Sequence, residues 1–262
     1  MPTSSFRSGA SARTRRVEVA DAPKNADGLF GFTLELTSIE MAEPVTATLY
    51  YGDGQTVEQA YSVEDYILAA VKNAGLTDAQ RDLVKALANL GHYMQPYLSA
   101  TNGWKIGTDY AEMATHYETY VNRSKVESLV GPFKPEKSLA GSGIERVSFT
   151  VSFNSLTTID IYLTPSPSAE GKVKATATFK GKEYKVEKTT DGRWHVRVEG
   201  IKPLDFGTPV QIEGRLDDNF SVNASVLSYV WAVFNKGNVD DVAGNALACA
   251  YQYYNYANAL AG

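Results

Sequence analysis

The segment from Ser62 to Leu98 aligns without a gap onto Ser225 to Ala261, at a fixed offset of 163 residues in a chain of 262. A unit that occurs twice constrains the fold strongly, because each copy must bury its own apolar face. Identical residues fall at Ser62/Ser225, Val63/Val226, Tyr66/Tyr229, Ala69/Ala232, Asp78/Asp241 and Tyr93/Tyr256. The punctuation agrees as well, since Gly75 and Gly237 each fall between two helical patterns.

In the first copy Ser62 precedes an apolar stripe of Val63, Tyr66, Ile67, Ala70 and Ala74, and Asp65 completes a capping box. The spacing predicts a helix from Val63 that stops at Asn73–Gly75, with Gly75 in the left-handed conformation. Thr77 and Gln80 form a second box, ahead of a stripe of Leu83, Leu87, Leu90, Met94 and Tyr97. In the second copy the stripes are Val226, Tyr229, Val230 and Val233, then Ala246, Ala250, Tyr253, Ala257 and Leu260. Each pair of helices is expected to form an αα-hairpin.

Upstream of both pairs the period changes from 3.6 to 2. Phe32, Leu34 and Leu36 alternate with polar residues, as do Trp194, Val196 and Val198, and both runs lead to an isoleucine, Ile39 or Ile201. Further strands are expected at Val45–Tyr51 and Pro209–Glu213, and in the second half alone at Arg146–Asn154, Thr157–Thr164, Val173–Lys180 and Glu183–Lys188. Lys180-Gly181-Lys182 and Asp191-Gly192 are turn signals. Tyr110, Met113, Tyr117 and Val121 share one face of a helix expected over Thr108–Val130.

The pattern predicts an α+β protein of two related modules, each an antiparallel sheet or small sandwich followed by an αα-hairpin. Its expected divisions are a flexible Ser/Ala/Arg tail over 1–28, a shorter-sheet module with an extra helix over 29–130, a Pro/Gly linker over 131–142 and a complete module over 143–262. An organelle transit peptide is the alternative reading of the tail, and no secretory h-region or wall-sorting signal is legible in these residues.

Charge narrows the function. The net charge of −5 and pI near 5.3 argue against a partner held by phosphate neutralisation, so no nucleic acid is expected. Yet residues 171–202 carry nine basic and four acidic side chains. No apolar run approaches the length of a membrane span, so no membrane insertion is expected. The single Cys249 cannot form an internal disulfide.

The run AYSVEDYILAAV…LVKALANLGHYMQPYL, preceded by IEMAEPVTATLYYGDG, resembles modules that recur in large, mostly uncharacterised surface proteins of gut-dwelling Gram-positive bacteria. In those modules a strand-rich unit ends in a tyrosine-serine helix start, and the following helix closes with an aromatic, Gln-containing turn. Tyr61, Ser62, Val63, Asp65, Tyr66, Leu83, Val84, Lys85, Ala86, Leu87, Gly91, Tyr93 and Gln95 carry the resemblance, which covers about two-thirds of the chain. It implies extracellular display and a non-catalytic role. The second copy departs from it with YQYYNYANAL in place of the Gly-containing ending.

No reaction motif accompanies this architecture. His92, His116 and His195 lie in three separate elements without metal-ligand spacing and read as solvent or capping histidines, and no metal or other cofactor is expected. No G-x-S-x-G elbow or phosphate loop is present. Cys249 reads as a small buried thiol. Asp217–Asp218 and Asp240–Asp241 fall short of the oxygen count calcium wants, and the latter pair reads as helix-terminus charge.

Three features could bind a partner such as a surface glycan, an anionic wall polymer or a host protein. Lys172, Lys174, Lys180, Arg193 and Arg197 alternate with apolar residues and are expected on one outward sheet face, either as a solvated surface or as an anion-capturing one. Tyr251 and Tyr254 form a second stripe on the last helix and serve either as core filling or as an exposed aromatic patch. Trp104 and Tyr162 stand outside the core periodicity, as carbohydrate platforms do. The expected function is display, spacing or adhesion without catalysis; a carbohydrate-binding module using these aromatics and an enzyme with an inter-module site are the alternatives.

Overall fold

A computed structural model describes residues 3–4, 17–18, 21–34, 36–50, 52–102, 112–153, 156–169 and 173–261. It is an α+β protein with antiparallel sheets, and its contacts divide the chain into two units, residues 1–120 and 121–262.

In the first unit the two-residue strands β1 (Thr3–Ser4) and β2 (Val17–Glu18) pair, and β3 (Val45–Tyr50) forms a hairpin with β4 (Thr56–Tyr61). Two helices follow, α1 (Val63–Lys72) and α2 (Asp78–Asn102). Ser62 opens α1 as the sequence predicts. Its hydroxyl accepts the Asp65 amide at 3.0 Å while the Asp65 carboxylate accepts the Ser62 amide at 2.9 Å, which satisfies two donors that a helix start otherwise leaves unpaired. The Ser62 hydroxyl also donates to the Asp65 carboxylate at 2.8 Å, and this bond together with the Ser62 amide holds the Asp65 carboxyl below its ordinary pKa.

The buried face of α1 is narrower than its stripe: Ile67 and Ala70 are buried, but Tyr66 and Ala74 are exposed. Met41, Ile67, Ala70, Val84, Ala88 and Met113 form the core, flanked by Val63, Leu87 and Tyr117. On α2 the burial therefore extends beyond Met94 and Tyr97 to Val84, Ala88, Gln95 and Leu98, which gives the helix two covered sides.

Several expectations for this unit are corrected. Residues 31–34 and 36–37 form no strand, because no strand among the described residues pairs with them; the chain instead makes a 3-10 turn at Ser38–Glu40, with Thr37 and Glu40 as its capping box. Gly75 is not left-handed: the Asn73 side chain accepts its amide at 2.9 Å and turns the chain without a positive φ. No helix runs from Thr108 to Val130. Residues 112–117 are irregular and a 3-10 turn occupies Glu118–Tyr120, while Tyr110 lies outside the described residues.

The second unit opens with α3 (Arg123–Leu129), which packs on the two helices at the end of the chain, α4 (Val226–Asn235) and α5 (Asp241–Ala261). That packing places residues 121–130 with the second half. The expected linker over 131–142 contains a 3-10 turn at Gly131–Phe133 and a strand, β5 (Glu136–Ser138), which pairs along β13 (Asn219–Ala224). Pro132 and Pro135 both precede that strand and so remove no ladder donor from it.

The expected strands appear as β6 (Ile144–Phe153), β7 (Thr157–Pro165), β8 (Lys174–Phe179), β11 (Trp194–Glu199) and β12 (Val210–Arg215), whereas the single strand expected over Glu183–Lys188 is two, β9 (Lys182–Tyr184) and β10 (Glu187–Lys188), which join different sheets. They form a four-stranded sheet ordered β10-β11-β7-β6 and a five-stranded sheet ordered β5-β13-β12-β8-β9. Lys180 and Gly181 join β8 to β9 with φ of 51° and 76°, the paired positive angles of a type I′ turn. One face of each sheet is apolar and buried: Ile159, Ile161, Leu163, Val196 and Val198 in the first, Ala177, Phe179, Ile212 and Val222 in the second.

Ser225 opens α4 with its own box, accepting the Ser228 amide at 3.1 Å. The bounds of α1 and α4, and of β4 and β13, stand 163 residues apart. The 3-10 turns at Ser38–Glu40 and Pro203–Asp205 stand 165 apart, so Ile201 corresponds to Leu36 rather than to Ile39. One backbone bond recurs at these positions: Glu64 N–H donates to the Met41 carbonyl and Leu227 N–H to the Phe206 carbonyl, each at 3.0 Å.

Candidate functional site

The polar face of the four-stranded sheet gathers a set of charged and aromatic side chains. Cross-strand register places Tyr162 on β7 opposite His195 on β11 and Asp160 opposite Arg197. Opposed side chains share a face and touch, so strand pairing alone brings these four together. Asp160 is buried at 5% exposure. Its carboxylate accepts His195 Nε2–H at 2.6 Å and Arg197 Nε–H at 2.8 Å, and Arg197 Nη2 reaches its other oxygen at 3.2 Å. Burial opposes ionisation of Asp160, but the hydrogen bonds from Arg197 and His195 outweigh it and hold the carboxyl below its ordinary pKa. The same contact raises Arg197.

The ladder continues past Asp160. The Tyr162 ring stacks on His195 with centroids 4.7 Å apart, and the Arg193 guanidinium lies 4.3 Å from the Tyr162 centroid. Arg193 also donates to Asp191 at 2.9 Å, a bond that depresses the Asp191 pKa. A histidine on a buried carboxylate is the base half of a nucleophilic triad. Here the carboxylate is shared with Arg197, the imidazole is stacked against Tyr162, and no hydroxyl bonds to His195 among the described residues. The arrangement fixes an ionised anchor among cations and rings.

The predicted cations do not share one face. Arg193, at the start of β11, and Arg197 lie in the four-stranded sheet, whereas Lys174 and Lys180 belong to β8 and its turn in the five-stranded one. Alternation along a strand reports a face, not which sheet the strand joins. Lys180 is neutralised by Asp205 at 2.7 Å. Lys174 is exposed and lines an open groove of about 490 Å³ together with Ser138, Glu213, Gly214, Arg215, Asn219, Phe220 and Ser221. Lys172 and Trp104 lie outside the described residues.

Tyr251 is buried at 7% exposure, and Tyr254 is half-buried. Both rings meet Phe133 edge-on, at 6.3 and 5.9 Å, and burial raises the Tyr251 pKa. Residues Ala246 to Tyr251 are buried without interruption, so α5 is enclosed on all sides there and Tyr251 fills volume rather than forming an exposed patch. Cys249 lies in that stretch, and burial pushes its thiol up.

The histidines are not bystanders. His195 anchors the ladder, and His92 stacks on His116 with centroids 4.0 Å apart and planes at 13°. His92 Nδ1 also contacts the Met113 carbonyl at 2.7 Å. Asp240 accepts the Ala243 amide at 2.8 Å at the start of α5, as helix-terminus charge requires. Among the described residues no group of three or more His, Cys, Asp or Glu is placed to hold a metal ion, and no helix is long and apolar enough to cross a membrane.

Sequence reasoning passed over Asp160, Glu213 and Arg215. The signal for Asp160 was its place in the polar half of the alternation Thr158, Asp160, Tyr162, Thr164, opposite a strand bearing His195 and Arg197. Comparison of the chain with protein-family models, with curated proteins and with solved structures finds no match in any of the three.

Proposed function

We propose that this chain is a non-catalytic surface module, made of two related strand-plus-helical-hairpin units, that displays, spaces or adheres. The observation that supports the reading is one order of elements met twice at matching spacing. A hairpin leads to a serine-capped helix and then a longer helix at 63–102 and again at 226–261, with the same backbone bond to the residue after a 3-10 turn. What recurs between the copies is capping and core, the residues that hold a unit together. The polar ladder lies on β7 and β11, which have no counterpart in the described part of the first unit, and its charges are paired to each other rather than left available to a reactant.

Carbohydrate binding through Tyr251, Tyr254 and Tyr162 is the weaker reading, since Tyr251 is buried and the Tyr162 ring is engaged by His195 and Arg193. Antibody labelling of intact producing cells, with a cytosolic protein as control, tests surface display. Labelling before lysis is expected; labelling only after lysis contradicts the proposal.

A further inference from the structure

Lys174 and Arg215 are direct cross-strand partners on β8 and β12, and Asn219 faces Arg215 from β13. Like charges opposed in a sheet repel. Elsewhere in this unit Arg193, Arg197 and Lys180 each have a carboxylate within 3 Å, but among the described residues neither Lys174 nor Arg215 has an ion pair. Two residues along the same face, Glu213 stands opposite Ser221, which in turn stands opposite Ser138. All six line the groove of about 490 Å³, a volume suited to one or two sugar rings rather than to a chain segment.

We propose that this groove binds an acidic saccharide, with one carboxylate of the sugar held by Arg215 and Lys174 and its hydroxyls met by Glu213, Asn219, Ser221 and Ser138. The ligand class rests on the surface reading given above. The Arg215 guanidinium offers the two parallel donors that match a carboxylate, and Lys174 adds a point charge beside it. Glu213, one row away on the same face, repels a second negative charge while accepting from a hydroxyl, which favours a monoanionic sugar over a polyphosphate. The paired cations thus acquire the counter-ion that the protein withholds from them.

The test is calorimetric titration of the purified full chain with an oligogalactoside that carries a single terminal galacturonate and with the neutral oligogalactoside of the same length, at low and high salt. The charged oligosaccharide is expected to bind, more weakly at high salt, and the neutral one at least about tenfold more weakly. Arg215→Ala should lose about tenfold or more and Lys174→Ala less, both with unchanged melting temperature, whereas Arg146→Ala, an exposed cation on the other sheet, should bind as the wild type does. Equal binding of the neutral sugar, no binding of either, or an unaffected Arg215→Ala variant overturns the proposal. Failure here with labelling on intact cells leaves the surface reading standing; binding through Arg215 in a chain labelled only after lysis does the reverse.

Discussion

Asp160 receives Arg197 from the neighbouring strand through both carboxylate oxygens, at 2.8 and 3.2 Å, while itself lying at 5% exposure. The pairing joins β7 to β11 through side chains as well as backbone. It has a definite signature in pH.

Asp160→Asn removes the charge but keeps the shape. Loss of the charge assistance in its three bonds, one from His195 and two from Arg197, should destabilise the second unit by about 1–3 kcal/mol at neutral pH. The folded pKa lies below the ordinary 3.8, so the wild-type advantage is complete above that value and disappears as pH falls through the lower folded pKa. Urea unfolding at pH 7 and pH 3 should show the gap narrowing on acidification. An equal gap at both would assign the effect to packing.

Gly214 is fixed by what surrounds it. A β-carbon there would come within 2.7 Å of both the Lys174 carbonyl and the Ala175 β-carbon, and closer still to the buried Phe220 ring. Gly214→Ala is therefore expected to cost about 1–3 kcal/mol, measured by denaturant midpoint, because backbone on a paired strand cannot step aside cheaply. A neutral outcome would mean that the β8–β12 pairing is looser than described.

The two serine caps offer a matched pair. Ser62→Ala and Ser225→Ala each remove a hydroxyl that accepts the amide three residues on, so each should lose about 1 kcal/mol of stability. Similar losses from calorimetric melting support equivalent roles. A cost at only one would argue against a repeated unit.

Tyr251→Ala empties a site enclosed by α5 and Phe133 and should destabilise by about 3 kcal/mol or more, while Tyr254→Ala, half-buried, should cost less. Thermal melting of both variants distinguishes this from a binding patch, where folding would survive both changes.

The elements most legible in the sequence were those with local causes. Ser62 and Ser225 announced their helices through capping chemistry, and Lys180–Gly181 announced its turn through positive φ. What depended on distant partners was not legible. Phe32, Leu34 and Leu36 alternate as a strand does, yet a strand needs a neighbour, and none is supplied there among the described residues. Lys174 and Arg197 looked alike along the chain, but strand pairing sent them to different sheets, one opposite Arg215 and the other onto a buried aspartate. Asp160 itself is an unremarkable acid until register sets His195 and Arg197 around it.

A module that adheres, as proposed, holds a partner without converting it. A glycan and host-protein array probed with the purified chain, followed by mass spectrometry of every retained ligand, tests this most directly. Retention with each ligand at its original mass is the predicted result. A retained ligand recovered cleaved or otherwise altered in mass would contradict it.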